Sequence, residues 1–149
     1  MFMKDGLIRK VMLSIVMALS FMGGLLAIFG VFLRWGFRVG ILRAPDITGW
    51  DMITTTIAGN LNVFLVLIGG AIAFLGGLAL ALFRDRTFGQ KIVLCLLGLG
   101  MVFTVIGCIW SIQKYGSVPP GLFVSMLGTL LLAIGALLLI FVNLYQVSR

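Results

Sequence analysis

Four long stretches of the chain contain no charged residue: Val11–Leu33, Leu61–Phe83, Ile92–Ile112 and Gly121–Val142, of 23, 23, 21 and 22 residues. A helix rises 1.5 Å per residue, so about 20 apolar residues cross a hydrocarbon core of about 30 Å, and each run is that long. Between positions 61 and 83, 14 residues are Leu, Ile, Val or Phe. At about −0.3 to −0.6 kcal/mol each they favour insertion by roughly 4 to 8 kcal/mol before the glycines are counted. The pattern predicts four transmembrane helices. Residues 84–91 and 113–120 connect them in eight residues each, short enough to make successive helices antiparallel neighbours. Pro120 stands at the start of the fourth helix, where an N–H is not needed. The expected fold is all-α: one transmembrane domain over residues 1–149, an up-down antiparallel four-helix bundle. The first run exceeds the core of a cleaved signal peptide and no A-x-A-like site follows, so it reads as a retained span.

The polar interruptions inside the runs are small: the hydroxyls of Ser14, Ser20, Thr104, Ser111, Ser125 and Thr129, and the thiols of Cys95 and Cys108. Each hydroxyl can donate to a carbonyl one turn back along its own helix. Glycine interrupts more often. "LIGGAIAFLGGLALALF", residues 67–83, carries two glycine pairs seven residues apart, although glycine costs about 1 kcal/mol against alanine in a helix interior. The first run has Gly23, Ala27 and Gly30, the second Gly69, Ala73 and Gly76, the third Gly100, Thr104 and Gly107, and the fourth Gly128 and Gly135. A spacing of seven keeps such positions on one side of a helix in a left-handed bundle. Lipid gives helices no hydrophobic reason to associate, so close backbone approach must hold them together, and these residues are expected to pack helix on helix.

The remaining segment, residues 34–60, is long for a loop and is expected to have structure of its own. "RWGFRVGI" alternates Trp35, Phe37, Val39 and Ile41 with Arg34, Gly36, Arg38 and Gly40, the period of a short β-strand. Its expected partner is Ile47–Trp50 or Met52–Ile57, with Pro45-Asp46 in the turn. "GWDMITTTIAGN" reads equally as a short interfacial helix, with Trp50, Ile53 and Ile57 on one face. The preferred combination is a hairpin first and a helix after it. Asp51 is expected to pair with Arg34 or Arg38 and pin the loop over the bundle. The alternative use of Arg34, Arg38 and Arg43 is to bind a phosphate, a lipid headgroup or an acidic protein.

Composition agrees with lipid as the solvent: 62% of residues are hydrophobic, 10% are charged and the mean hydropathy is +1.25. The net charge of +7 is unevenly placed. Lys4, Arg9, Lys10, Arg84, Arg86, Lys91 and Arg149 fall on one side of the expected membrane, and Arg34, Arg38, Arg43 and Lys114 on the other. The positive-inside rule puts both termini in the cytoplasm, and Trp35, Trp50, Trp110 and Tyr115 at the outer interface. Basic anchoring beside anionic lipid accounts for the charge, and no nucleic-acid partner is expected.

Chemistry-bearing residues are sparse. The chain has no histidine and no glutamate, which leaves out most catalytic zinc sites and the membrane-embedded glutamate of small multidrug exporters. Cys95 and Cys108 lie about 20 Å apart along one helix, beyond disulfide reach. No catalytic group, metal site or cofactor is expected, and the protein reads as non-enzymatic.

Four spans, cytoplasmic termini and a first outer loop with a strand pattern and tryptophans resemble the claudin-like tetraspan architecture. The chain also resembles prokaryotic four-span membrane proteins in which a "GWD"-type segment precedes a glycine-rich second helix. Where claudins carry a Gly-Leu-Trp element and two loop cysteines, this loop has Trp35 and Gly36 and no cysteine. The resemblance implies a small structural or accessory protein of a prokaryotic cell membrane that binds another membrane protein or itself. The competing expectation is an oligomeric channel or transporter for uncharged or lipidic cargo.

Overall fold

The computed structural model describes the chain apart from residues 1, 34, 36–37, 40–41, 44–47, 56–59, 84–86, 116–117 and 148–149. Its helices are α1 (Phe2–Phe32), α2 (Gly49–Thr55), α3 (Leu61–Leu82), α4 (Thr87–Tyr115) and α5 (Pro120–Val147). Four of them hold apolar stretches long enough to cross a membrane: Leu7–Phe32, Leu61–Leu82, Phe88–Lys114 and Pro120–Leu144. α1, α4 and α5 extend beyond the charge-free runs, while α3 matches its own. Arg9 and Lys10 lie in the first three turns of α1, and Lys91 and Lys114 near the two ends of α4, where long basic side chains keep their charge in water while the stem stays apolar. Pro120 is the first residue of α5, and the Phe123 N–H donates to the Pro119 carbonyl at 3.0 Å.

α1 packs against both α5 and α3, and α3 also packs against α4. Contacts along each pair run in opposite senses. On α1, Gly23 meets Gly128 of α5 and Gly30 meets Gly121; on α3, Asn62 meets Gly107 of α4 and Gly69 meets Gly100. The helical interior has two apolar clusters. One gathers Leu13, Val16, Leu80, Val93, Leu97, Leu132, Leu139 and Val142. The other, toward α2, gathers Val31, Trp35, Ile53, Val63, Val66, Cys108 and Leu122. Between them Gly23, Gly24, Gly69, Gly70, Gly100 and Gly128, all buried, bring neighbouring helix backbones together.

Two-residue strands β1 (Arg38–Val39) and β2 (Leu42–Arg43) pair antiparallel, Arg38 opposite Arg43 and Val39 opposite Leu42. β1 therefore pairs with a nearer segment than Ile47–Trp50 or Met52–Ile57, both of which overlap α2 instead. Trp35, the first apolar position of the expected alternation, is buried in the interior, while Arg34, Gly36, Phe37, Gly40 and Ile41 lie outside the described residues.

Candidate functional site

The bundle ends in a cap on the α2 side. Trp35 is fully buried, and its indole Nε1–H donates to the Gly30 carbonyl at 2.7 Å. Its ring lies over Gly121 at the start of α5 and beside Gly49 at the start of α2, so two glycines make room for it. The sequence places Trp35 at the lipid interface; the structure puts it inside, where a large ring with one polar tip gains most when that tip finds a carbonyl. Gly49, Gly121 and the Trp35–Gly30 bond escape a pattern reading, since they meet only in three dimensions.

α2 has three environments on seven residues. Ile53 is buried on the bundle, Asp51 and Thr54 are exposed, and Trp50 lies on the rim, stacked on Phe32 of α1 with ring centroids 5.3 Å apart. Trp50 and Ile53 thus do not share one lipid-facing surface. Asp51 Oδ2 accepts from the Thr48 N–H at 3.0 Å and the Thr48 hydroxyl at 2.6 Å, while the Asp51 N–H donates to Thr48 Oγ1 at 3.1 Å. That is a reciprocal capping box, legible in "TGWD" as a hydroxyl residue followed three positions later by an acid. Asp51 is engaged by Thr48 and caps α2. The Thr48 hydroxyl, and after it the Thr48 N–H, hold its carboxyl below the ordinary 3.8. Arg34 and the side chains of Arg38 and Arg43 lie outside the described residues.

The helix-packing positions can be compared one by one. A β-carbon on Gly69 would lie 2.6 Å from Gly100 O, and one on Gly100 would lie 2.7 Å from Gly69 O. A β-carbon on Gly107 would lie 2.6 Å from Asn62 O, one on Gly128 2.6 Å from Gly23 O, and one on Gly23 2.8 Å from Gly128 O. Gly30 meets Ser125 and the Gly121 carbonyl. Ala27, Ala73 and Thr104 are fully buried at the same seams. Gly76 and Gly135 are looser: a β-carbon there would first meet the side chains of Leu97 at 3.2 Å and Ser20 at 3.3 Å. Between α1 and α3 the tight positions lie outside the seven-residue stripes. Gly24 would meet the Phe74 backbone at 2.7 Å, and Gly70 would meet the Ala27 side chain at 3.0 Å. They form the α1–α3 seam, which needs a second glycine face on helices already using one.

All six span hydroxyls donate to the carbonyl four residues back, at 2.7 to 3.1 Å. Ser125 Oγ also lies 3.3 Å from the Ala27 carbonyl of α1. Asn62, an amide at the second position of its run, is buried and donates from Nδ2 to Ser111 Oγ at 2.8 Å, tying α3 to α4. Close to it Asn60 links elements: its Nδ2 donates to the Met52 carbonyl, and Lys114 Nζ lies 3.4 Å from its Oδ1. Among the described residues no three His, Cys, Asp or Glu side chains gather.

α4 and α5 meet differently. Along their length toward α2 they leave a cleft of about 490 Å³, with Met101, Cys108 and Ile112 on one wall and Phe123, Met126 and Ala133 on the other. Side chain faces side chain here, without glycine on carbonyl, so the helices stand apart. Gly98 of α4 has nothing within 4 Å of where its β-carbon would be.

No protein-family model matches the chain, and neither a curated relative nor a solved structure of detectable similarity accompanies it. The claudin-like resemblance thus remains one of layout. What the four long apolar helices establish is an integral membrane protein.

Proposed function

We propose that this chain is a non-enzymatic structural or accessory subunit of the membrane, an up-down antiparallel tetraspan bundle with both termini in the cytoplasm. It works through its lateral helix faces and its α2-side cap, on another membrane protein or on a second copy of itself. The observation that carries this reading is the Trp35 plug: the indole fills the end of the bundle and bonds to Gly30. A bundle stoppered at one end and held together by backbone contact acts at its surface. The hydroxyls turned onto carbonyls point the same way, since their bonds serve the helices themselves.

Affinity purification from native membranes in mild detergent, followed by mass spectrometry, tests the reading. The expected result is one defined partner, or a defined oligomer, in fixed stoichiometry. A lone monomer at every concentration counts against it. So does a flux of uncharged solute into liposomes of the purified wild-type protein, absent from protein-free liposomes, which would favour the conduit.

A further inference from the structure

Three seams of this bundle are closed and one is open, and the open one has dimensions that identify an occupant. The α4 wall runs from Met101 to Ile112 and the α5 wall from Phe123 to Ala133. At 1.5 Å per residue these are about 16 Å and about 15 Å long. The hydrocarbon core is about 30 Å thick, so the cleft covers the depth of one leaflet and no more. It begins at the α2-side ends of α4 and α5, where the chain leaves the membrane, and stops near the middle. A partner helix crossing the membrane is about twice as long as this cleft and would leave it half-way. A single acyl chain, anchored by its headgroup at the surface, needs only that depth.

We propose that the α4–α5 cleft is a lipid-tail site, taking one acyl chain of a phospholipid from the leaflet on the α2 side. The volume of about 490 Å³ lies in the range of built small-ligand sites. The lining suits a flexible chain. Met101 and Met126 are unbranched and polarisable, able to follow a bending tail, and the Thr129 hydroxyl in the floor is already bonded to the Ser125 carbonyl at 2.9 Å. The site goes beyond the accessory reading and needs no protein partner.

The test uses the full chain in phosphatidylcholine nanodiscs doped with a phosphatidylcholine carrying a photoactivatable diazirine, placed near the headgroup in one probe and near the tail end in another. Adducts are mapped by mass spectrometry. The expected result is labelling at Met101, Cys108 and Met126 about tenfold above that at Leu75 of α3 and Phe29 of α1, which are exposed on other helices. The shallow probe should favour Ile112 and Phe123, and the deep probe Met101 and Ala133. Ala133→Phe, which fills the cleft, should bring labelling down to the level of Leu75; unchanged melting of that variant shows that the fold is intact, and Ala133→Leu serves if it melts early. Labelling that merely follows exposure around the bundle overturns the proposal. So does a cross-link joining two copies through the cleft.

Discussion

Gly69 of α3 and Gly100 of α4 face each other so closely that a β-carbon on the first would lie 2.6 Å from the carbonyl oxygen of the second, and the reverse distance would be 2.7 Å. Backbone cannot yield as a side-chain tip can, so Gly69→Leu should lower stability by about 3 kcal/mol or prevent folding. Gly76→Ala meets only the movable end of Leu97 and should cost well under half of that. Gly98→Ala meets nothing and should be neutral or gain up to about 1 kcal/mol of helix propensity. Thermal melting of the three variants in one detergent checks the order; equal melting would contradict it.

The Trp35 plug separates into ring and bond. Trp35→Ala removes a fully buried ring and should cost about 3 to 5 kcal/mol. Trp35→Phe keeps most of the volume and loses the bond to Gly30, for about 1 kcal/mol. If the plug also seals the bundle, Trp35→Ala alone should admit water to the α2-side cluster, seen as faster exchange of the Val31 and Val63 amides.

Acid should loosen α2. The Asp51 carboxyl titrates below its ordinary 3.8 because Thr48 bonds to its charged form. Its contribution is therefore complete above the unfolded value of about 3.9 and is lost as pH falls through the lower folded value. Hydrogen exchange of the α2 amides, corrected for intrinsic rates, should show protection falling in that window. Asp51→Asn should remove the dependence, and Thr48→Ala should weaken it, since the backbone N–H of residue 48 still donates to the carboxylate.

Asn62 and Ser111 form a side-chain bond between α3 and α4 at 2.8 Å. Hydrogen bonds of this kind inside membrane proteins are worth about 0.6 kcal/mol on average and up to about 1.7. A double-mutant cycle with Asn62→Leu and Ser111→Ala should return a coupling in that range. A coupling of zero would mean that the amide is satisfied elsewhere.

The lipid-facing character of the chain could be read along one dimension because it depends on residue type and length alone: four charge-free runs met four long helices. The hydroxyl bonds were legible for the same reason, since donor and acceptor are four residues apart on one helix. Asn62 was passed over because an amide near a run's end is easily taken for loop. The "TGWD" box is legible in the same way, as a hydroxyl residue followed three positions later by an acid, whereas Arg34 and the side chain of Arg38, expected to pair with Asp51, lie outside the described residues.

What the linear order determined was the solvent, the number of long helices and the positions where side chains are small. Which small positions touch was decided only in three dimensions, because one helix has several faces and the sequence does not say which neighbour each face meets. Gly24 and Gly70 form a seam that the seven-residue stripe does not contain, and Gly76 and Gly135 lie loosely although the stripe includes them. Trp35 shows the same division. Its residue type permits an interface or a core, and only the meeting of Gly30, Gly49 and Gly121 at one end of the bundle made the core the place where both ring and N–H are satisfied.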